Sequence, residues 1–359
     1  MNRASRPARV MVAMSGGVDS SVSAALCVAA GHEVVGVTLK LWGGVTDKGC
    51  CSVADVHDAR RVADQLGIDH HVFNYADEFS AHVVDPYLSA HGQGTTPNPC
   101  IECNRHIKFD LLHHRAMALG FDAVATGHHA RVRRNGEGQW RLARGVDVAK
   151  DQSYVLYMVT QEVLATTMFP VGELTKDEVR QRAAGTGLRT AAKPDSQDVC
   201  FIAGNPARAR QTFLGERIAL RPARVVDQAG QQLSTVAAVE LVTIGQRRGL
   251  GLAGGAAARY VVDIDHQTAT VTVGDRAALR RDRLEFQAVA PSGTSLHGPV
   301  LVQCSAHGHS QAGRIEGSTL FWDQPQPRVA PGQSVVFYDP AAPDEVLGGA
   351  VVAIPLGNR

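Results

Sequence analysis

The sequence predicts an α/β protein: a parallel sheet with crossover helices, followed by one or two small antiparallel β domains. In the N-terminal half, short apolar runs alternate with stretches of helical periodicity, as in a parallel sheet whose strands are joined by helices. Beyond about residue 215, short β-branched runs are separated by Gly, Pro and Asp turns. The 359 residues exceed one ordinary core, so two or three domains are expected.

Strand and helix patterns alternate from the start of the chain. Residues 9–14 predict a short buried strand that Gly16 and Gly17 end, and apolar side chains recur at helical spacing over 22–29. The elements that follow are a strand at 33–42, a helix at 56–66 and a strand at 70–74. This alternation indicates crossover connections between parallel strands.

Three later segments extend the pattern. A helix is predicted by apolar side chains at helical spacing, namely Phe109, Leu112, Ala116 and Leu119. The strand predicted within 121–130 runs into a loop at its carboxyl end, where open α/β sheets bind ligands. Thr175 and Glu178 have capping-box spacing, so a helix of roughly three turns begins there.

The composition indicates a folded protein and excludes few functions. Hydrophobic residues make up 44% and charged residues 20%, and the formal charge of +1 does not indicate a polyanion partner. Neither a signal peptide nor a run of the ~20 apolar residues of a membrane span is present, so we expect a cytoplasmic protein without a membrane partner. In that compartment the seven cysteines should be reactive or metal-bound rather than structural disulfides.

The segment AMSGGVDSS, from Ala13 to Ser21, follows the first strand and opens the first helix. Its glycines let backbone amides approach a ligand, Ser15 and Ser20 offer hydroxyls, and the helix end adds about half a positive charge. These are the features of an anion site. An ordinary turn in which Asp19 and Ser20 cap the helix is the alternative. The Walker-type Lys and the dinucleotide glycine spacing are missing.

S-G-G-V-D-S directly after the first strand resembles the pyrophosphate loop (PP-loop) of the ATP pyrophosphatase superfamily, which transfers AMP to a carbonyl-type oxygen. The resemblance implies an adenine nucleotide alpha hydrolase-like domain that binds ATP. The residues that it assigns to the nucleotide are Ala13, Met14, Ser15, Gly16, Gly17, Val18, Asp19, Ser20, Leu39 and Gly127. Asp19 would help to hold Mg²⁺ on the pyrophosphate, because that ion prefers hard oxygen ligands.

Four further stretches narrow the resemblance: GQGTTPNPCIECNRHIKFD, ATGHHARV, AKDQSYVLY and KPDSQDVCFI. With the loop they make the chain similar to the tRNA-specific 2-thiouridylases, which replace the C2 oxygen of the wobble uridine by sulfur. The similarity covers residues 9–215 and returns in TIGQRRGLG and VLGGAVV. It implies three domains, namely a PP-loop catalytic domain at 1–210, a small mainly-β central domain at 211–280 and a C-terminal β-barrel at 281–359.

Two distant cysteines carry the sulfur chemistry that the resemblance implies. Cys103 would be the nucleophile, and Cys200 would carry a persulfide received from a sulfur-relay or cysteine desulfurase donor. The persulfide sulfur would be delivered to C2, and Cys103 would then form a disulfide with Cys200 that an external reductant resets. Because a thiol of pKa ~8.5 is mostly protonated at neutral pH, Cys103 needs a nearby cation. The candidates are Arg105, His106 and Lys108.

The other thiols leave alternatives open. Cys100, Cys103 and Cys200 would supply three soft ligands to an iron–sulfur cluster, which would bind sulfide in place of the persulfide. Zinc on the C-x-x-C pair and a nearby histidine is a weaker interpretation, because the second half of a zinc finger is missing. Cys50 and Cys51 are expected to be incidental or accessory thiols.

The resemblance also implies tRNA as the partner, with contacts at His128, Lys150, Asp151, Gln152 and Gln333. A wobble base flipped into a pocket is expected, since C2 of a stacked base is hard to reach. The arginines of ARVRRNGEGQWRLARG are candidates for phosphate contact, and a solvated hairpin is the alternative. The protein is expected to be a monomer.

Two other functions fit parts of the pattern. A different ATP pyrophosphatase, such as an amidotransferase-type synthetase, would not need Cys103 or Cys200. A metal-held RNA-binding module would retain tRNA without turning over ATP. Exchange of pyrophosphate into ATP, stimulated by unmodified tRNA, separates these hypotheses.

Overall fold

The computed structural model describes residues 7–42, 52–195, 199–202, 206–252, 257–291 and 296–354. The chain divides into two compact units. The first consists of Met1–Val83, Pro99–Ala203 and Asp344–Leu347, and the second of Val84–Asn98, Gly204–Pro343 and Gly348–Arg359. The second unit therefore includes a short segment from the N-terminal half, which no pattern in the sequence indicates.

A parallel sheet forms the core of the first unit and confirms the predicted α/β class. Its strands are β1 Arg9–Ala13, β2 Glu33–Lys40, β3 Asp69–Asn74, β4 Ala123–Thr126 and β7 Thr167–Met168. They lie in the order β3-β2-β1-β4-β7 and all pairs are parallel. Because the residues of β1 and β4 are largely apolar and buried, both strands can be covered by helices on either face. Between β4 and β7, β5 Ala130–Arg134 and β6 Trp140–Arg144 form an antiparallel hairpin.

Helices connect these strands. The α-helices within the described residues are α1 Val18–Ala29, α2 Val53–Leu66, α3 Ala76–Phe79, α4 Asp85–Gly92, α5 Pro99–Glu102, α6 His113–Ala118, α7 Gln161–Ala165, α8 Lys176–Gly185 and α9 Pro206–Gly215. Segments of π-helix at Ser80–Val84 and Cys103–Leu112 extend α3 and α5. The predicted capping box of Thr175 and Glu178 starts α8.

The helix predicted to include Leu119 ends one residue earlier. The last residue of α6 is Ala118, and the Leu119 side chain is exposed. By contrast, Phe109, Leu112 and Ala116 are buried as predicted. Residues 103–112 are wound as a π-helix, whose wider turn departs from the 3.6-residue period on which the prediction rests.

The second unit is built mainly of β-strands, as predicted for the C-terminal part of the chain. One sheet has the strands β8 Ala223–Asp227, β9 Gln232–Val236, β10 Tyr260–Asp265 and β11 Thr270–Gly274, in the order β10-β11-β8-β9. Because β8 and β11 pair in parallel, the prediction of antiparallel β domains is wrong for this sheet. A closed barrel consists of β12 Arg280–Pro291, β13 Gly298–Gln303, β14 Gln311–Glu316, β15 Thr319–Pro327, β16 Ser334–Tyr338 and β17 Val346–Val352. None of the helices in the described ranges is long and apolar enough to cross a membrane.

Candidate active site

The loop between β1 and α1 has a backbone that requires glycine. Gly16 has a φ of +73°, and a Cβ atom on it would stand 2.3 Å from the carbonyl oxygen of Asp55. Gly17 is the N-cap of α1, and no side chain caps this helix. The alternative in which Asp19 and Ser20 cap the helix is therefore wrong. The amides of the first turn of α1 are left for an anion.

Serine and threonine hydroxyls hold the loop in shape. Ser20 Oγ donates to the carbonyl of Gly17 at 3.1 Å and accepts from the amide of Ser15 at 3.2 Å. Thr38 Oγ1, on β2, donates to the carbonyl of Met14 at 2.7 Å. A loop that is ordered before it binds loses less entropy on binding.

The two positions assigned to adenosine outside the loop lie at different depths. Leu39 is 7% exposed in β2, and Gly127 directly follows β4 at the carboxyl end of the sheet. A Cβ atom at Gly127 would stand 2.6 Å from the amide nitrogen of Ser20 and 2.8 Å from the carbonyl carbon of Asp19. The chain after β4 thus lies against the first turn of α1.

The Asp19 carboxylate is held by two side chains. Lys176 Nζ, from the start of α8, lies 2.7 Å and 2.8 Å from its two oxygens, and His129 Nε2 lies 3.2 Å from Oδ1. Burial by itself raises the pKa of Asp19, but the hydrogen bonds from His129 and Lys176 outweigh burial and keep this pKa below its usual value. An ionised carboxylate therefore stands beside the glycine loop.

A second carboxylate, Asp195, shares Lys176 with Asp19. Lys176 Nζ lies 2.8 Å from Asp195 Oδ1, while Lys150 Nζ lies 2.8 Å from Oδ2 and Arg180 Nη2 lies 2.9 Å from Oδ1. Burial raises the pKa of Asp195, and the hydrogen bonds from Lys150 and Lys176 outweigh burial and lower the pKa to about 2. The two carboxylates and Lys176 thus form a continuous chain of charges.

Cys103 is buried at the start of the π-helix Cys103–Leu112. The helical segment begins at Pro99, so Cys100 and Cys103 occupy its first turns, where the helix dipole favours negative charge. The π-helix is rare overall and frequent at functional sites. The amide nitrogen of the Asn104 side chain donates to the carbonyl of Val155 at 2.9 Å and fixes this turn.

The cations expected near Cys103 are partly engaged elsewhere. Arg105 and His106 each lie 3.3 Å from the same carboxylate oxygen of Glu102. Lys108 Nζ lies 3.5 Å from His128 Nε2. Lys108 is thus the candidate cation for which no carboxylate contact is observed among the described residues.

Cys200 lies in a short described segment, 199–202, of the same unit as Cys103. Val199 has a φ of +53°, which is a strained conformation for a β-branched residue. Phe201 anchors the segment, with its ring centroid 5.8 Å from that of Phe79 and 6.1 Å from that of Trp42. Cys103 and Cys200 are both thiols in this conformation rather than a disulfide.

Among the residues that the structure describes, no metal site accompanies the thiols. Within the described ranges, no three His, Cys, Asp or Glu side chains stand close enough together to hold a metal ion. Cys100, Cys103 and Cys200 therefore do not form a ligand set for a cluster in this conformation, and the C-x-x-C pair does not combine with a histidine. Cys50 and Cys51 lie outside the described residues.

Comparisons with known proteins identify the family. Models described as "tRNA methyl transferase HUP domain", "tRNA methyl transferase PRC-barrel domain" and "Aminomethyltransferase beta-barrel domain" match residues 8–204, 211–275 and 297–352. The "tRNA-specific 2-thiouridylase MnmA" of Mycobacterium ulcerans (strain Agy99) is 48% identical over 96% of this chain and 97% of its own length. The chain belongs to the tRNA-specific 2-thiouridylase family. Relatives with the same name from Mycolicibacterium gilvum and Roseiflexus castenholzii are 48% and 46% identical, each over 96% of this chain and 99% of the relative.

His128, a predicted tRNA contact, is buried. Its Nδ1 lies 2.7 Å from Thr126 Oγ1, and its ring centroid is 5.9 Å from those of Phe109 and Phe169. Burial, with the nearby charge of Lys108, lowers the pKa of His128 well below its usual value. The imidazole is therefore neutral at pH 7, and any contact with a tRNA of the kind that 2-thiouridylases modify would be polar rather than ionic.

Of the three predicted tRNA contacts Lys150, Asp151 and Gln152, two make hydrogen bonds within the fold and one is exposed. Asp151 is buried and accepts hydrogen bonds from Arg144 Nη1, the Gly145 amide and both donors of Ser153. Gln152 exchanges hydrogen bonds with the backbone of His129 at 2.9 Å in both directions. Lys150 is the exposed cation of the three, with 43% of its side chain accessible. In the second unit, the Gln333 side chain donates to the carbonyl of Thr96.

Most arginines of the hairpin β5–β6 serve the fold of the first unit. Arg131 Nη2 lies 2.8 Å from Asp344, Arg141 Nε lies 3.1 Å from Glu345, and Arg144 Nη1 lies 2.8 Å from Asp151. Arg133 and Arg134 remain on the surface, where Arg134 stacks over Trp140 with its guanidinium carbon 4.4 Å from the ring centroid. Of the hairpin arginines that the sequence offers as phosphate contacts, Arg133 and Arg134 therefore remain candidates.

Sequence reasoning missed Lys176, His129 and Asp195, the three residues that connect the loop to its surroundings. Lys176 follows the Thr175 cap, so the predicted capping box placed it at a helix start. Its pairing with Asp19, 157 positions away, has no local signal. His129 lies in the ATGHHARV segment, next to His128, which the sequence analysis names as a tRNA contact.

Proposed function

We propose that this chain is a tRNA-uridine 2-sulfurtransferase that adenylates the C2 oxygen of the wobble uridine and replaces it by sulfur. Family membership over nearly the full chain supports this function, since the relatives bear the name tRNA-specific 2-thiouridylase. The observation that carries the proposal is the presence, in one unit, of the glycine loop with ionised Asp19 and of the thiols Cys103 and Cys200.

In the first half-reaction the chain holds ATP. The amides at the start of α1 face the phosphates, Gly127 lies against the first turn of α1 without a side chain, and Leu39 offers apolar contact. Mg²⁺ fits this site because it needs one or two carboxylates and completes its shell with phosphate oxygens and water. Asp19 would be that carboxylate. When bound, the ion would neutralise charge on the leaving pyrophosphate.

The second half-reaction moves sulfur. The terminal sulfur of a Cys200 persulfide loses its proton and attacks C2, and AMP leaves with the electron pair of the C2–oxygen bond. A Cys200–sulfur–C2 disulfide adduct results. The Cys103 thiolate then attacks the Cys200 sulfur, and the sulfur–sulfur electron pair moves to the RNA sulfur to give 2-thiouridine. A dithiol reductant reduces the Cys103–Cys200 disulfide.

The partners follow from this chemistry. tRNA is the substrate, with Lys150, Gln152, His128 and Gln333 as proposed contacts, and a persulfide-carrying protein is the sulfur donor. The buried Asp151 would support that surface through its bonds to Arg144 and Ser153. We propose that the reaction takes place in the cytoplasm and that the enzyme is a monomer.

The test uses purified protein, unmodified tRNA, Mg²⁺ and ATP with a persulfide donor. Wild-type protein should form 2-thiouridine, detected by mass spectrometry of nucleosides, and exchange pyrophosphate into ATP when tRNA is present. Cys103→Ser and Cys200→Ser should each abolish 2-thiouridine and keep pyrophosphate exchange. Cys304→Ser, a thiol of the second unit, is the matched control and should keep both. Full thiolation by the two active-site variants would contradict the proposal.

An iron–sulfur route on Cys100, Cys103 and Cys200 would give the same product. The iron and sulfide content of the purified protein distinguishes it from the persulfide route. Protein purified without oxygen is assayed for iron and acid-labile sulfide. The persulfide route predicts that iron-free protein thiolates tRNA with a persulfide donor and that Cys100→Asp remains active. Activity that requires iron and all three thiols would replace the persulfide route by the cluster route.

A further inference from the structure

We infer that Asp195 is a positioning residue that couples tRNA binding to nucleotide binding through Lys150 and Lys176. This inference rests on the proposed function, because it assumes that Lys150 meets a tRNA phosphate and that Asp19 meets Mg²⁺. Neither Asp195 nor Lys176 is among the residues that the sequence analysis assigns to ATP, tRNA or sulfur transfer. What carries the inference is the unbroken chain of ion pairs from the glycine loop to an exposed lysine.

The chain of charges has four members in series. Asp19, beside the glycine loop, is 2.7 Å from Lys176 Nζ, which is 2.8 Å from Asp195, which is 2.8 Å from Lys150 Nζ. The exposed fraction of the side chain is 29% for Asp19, 10% for Lys176, 34% for Asp195 and 43% for Lys150. The buried Lys176 therefore connects the partly exposed Asp19 at the loop with Asp195 and with Lys150, the most exposed member, which a polyanion can reach.

Asp195 itself is fixed in place by a third cation. Arg180 donates to Asp195 Oδ1 at 2.9 Å and also to the carbonyls of Ala191 and Lys193, at 2.8 Å and 3.0 Å. A guanidinium with three acceptors in fixed directions is held rigidly. When one lysine leaves Asp195, the carboxylate therefore stays where it is and its attraction acts on the other lysine.

The exchange of partners sets the sign of the coupling. If Lys150 turns to a tRNA phosphate, Asp195 loses one cation and attracts Lys176 more strongly. Lys176 then neutralises Asp19 less, and Asp19 binds Mg²⁺ with ATP more tightly. In the opposite direction, Mg²⁺ on Asp19 releases Lys176 toward Asp195, which frees Lys150 for tRNA. Binding free energies couple reciprocally, so both ligands must gain the same factor.

The experiment measures this factor in the full-length protein. The dissociation constant of a non-hydrolysable ATP analogue with Mg²⁺ is determined with and without saturating unmodified tRNA, and that of tRNA with and without the analogue. Wild-type protein should show a coupling of about fivefold or more, the lower end of typical coupling factors, since the ion pairs are partly exposed. In Asp195→Asn the factor should fall to within about twofold of unity. Asp195→Asn should also bind tRNA without analogue as tightly as wild-type protein binds it with analogue, because its Lys150 is already free.

The control is Asp177→Asn, which removes the same charge from the exposed first turn of α8, where no ion pair among the described residues involves it. This variant should keep the wild-type coupling. Lys150→Met should also abolish the coupling, and adding Asp195→Asn to it should change nothing more. Equal melting temperatures confirm that the variants fold.

The outcomes separate the inference from the proposed function. Wild-type coupling retained in both Asp195→Asn and Lys150→Met overturns the inference and leaves the thiouridylase function intact. Tight binding of both ligands to wild-type protein without any coupling has the same meaning. If wild-type protein binds neither ligand, the proposed function and the inference fail together.

Discussion

Gly127 lies so close to the first helix that a Cβ atom on it would stand 2.6 Å from the amide nitrogen of Ser20. The neighbouring atoms are backbone of the glycine loop and α1, which cannot move aside like the end of a flexible side chain. The carboxyl end of β4 and the loop after β1 are therefore fitted to each other. Any side chain at this position displaces the surface that we assign to ATP.

Gly127→Ala should weaken ATP binding. Overpacking of this kind costs about 1–3 kcal/mol, so we expect the KM for ATP in pyrophosphate exchange to rise about fivefold or more. Gly136→Ala is the matched control, because a Cβ atom in the β5–β6 turn meets nothing within 4 Å. It should leave the KM for ATP unchanged. Equal KM values for the two variants would show that the loop does not hold the nucleotide.

Arg141 and Arg133 belong to the same hairpin and should differ in their effects. Arg141 has 1% of its side chain exposed and pairs with Glu345, so Arg141→Ala leaves a carboxylate without its partner. Loss of one partner of a fully buried pair costs about 3–5 kcal/mol; the cost should be smaller here because Glu345 is 21% exposed, and thermal unfolding should still show a lower melting temperature. Arg133→Ala should change stability by less than about 0.5 kcal/mol, since Arg133 is exposed.

The same pair tests phosphate contact. Arg133→Ala should weaken tRNA binding at low salt and reduce the slope of log K against log salt by about one, as expected for one lost phosphate contact. Arg141→Ala, measured below its melting temperature, should keep the wild-type salt slope. A loss of slope in the Arg141 variant alone would reverse the roles that we assign.

Local signals in the sequence were sufficient for the parallel sheet, for the turn after β1 and for the start of α8. Alternation of short apolar runs with helical spacing indicated the parallel sheet, two glycines after β1 indicated the turn, and the box of Thr175 and Glu178 placed the start of α8. Such signals act within one turn or one strand. They do not indicate where the start of α8 lies relative to Asp19.

Long-range pairing is what the sequence could not supply. Whether Asp151 faces tRNA or the interior depends on Arg144 and Ser153, whose side chains the tertiary fold brings to it. The assignment of Val84–Asn98 to the second unit is of the same kind. A polar residue such as Asp151 looks the same in the sequence whether its side chain is buried or exposed. Only the tertiary structure shows which of the two it is.

Cys27 and Cys304 should be inert towards alkylation in the folded protein. Burial raises the pKa of each thiol to about 12, so little of the reactive thiolate is present at pH 8. Cys27 is also shielded from solvent, whereas Cys304 is partly exposed and should be protected by its raised pKa alone. At pH 8, iodoacetamide followed by mass spectrometry of peptides should therefore leave both cysteines unmodified for hours. Denatured protein should be modified at both positions within minutes. Fast labelling of either residue in folded protein would show that the segment around it opens.

Acid should destabilise the second unit through His91. This side chain is 2% exposed, its Nδ1 lies 3.5 Å from Arg210 Nη2, and burial, with the charge of Arg210, lowers its pKa to about 4. The unfolded chain takes up a proton below pH ~6.5 while the folded chain does not, so stability is lost as pH falls from 6.5 to 4. The slope is about 1.4 kcal/mol per pH unit, which gives about 2 kcal/mol between pH 6.5 and pH 5.

Urea unfolding at pH 7.5 and pH 5 measures this loss. His91→Gln cannot take up the proton, so its difference in unfolding free energy between the two pH values should be smaller than that of wild-type protein by about 2 kcal/mol. His114→Gln, at an exposed histidine of α6, should keep the wild-type difference. The neighbours Glu240 and His266 also act on His91, Glu240 by raising its pKa and His266 by lowering it, and neither is changed in these variants. If His91→Gln retained the full acid sensitivity, the loss of stability would have to arise from other buried groups, His128 foremost among them, because burial also lowers the pKa of that residue.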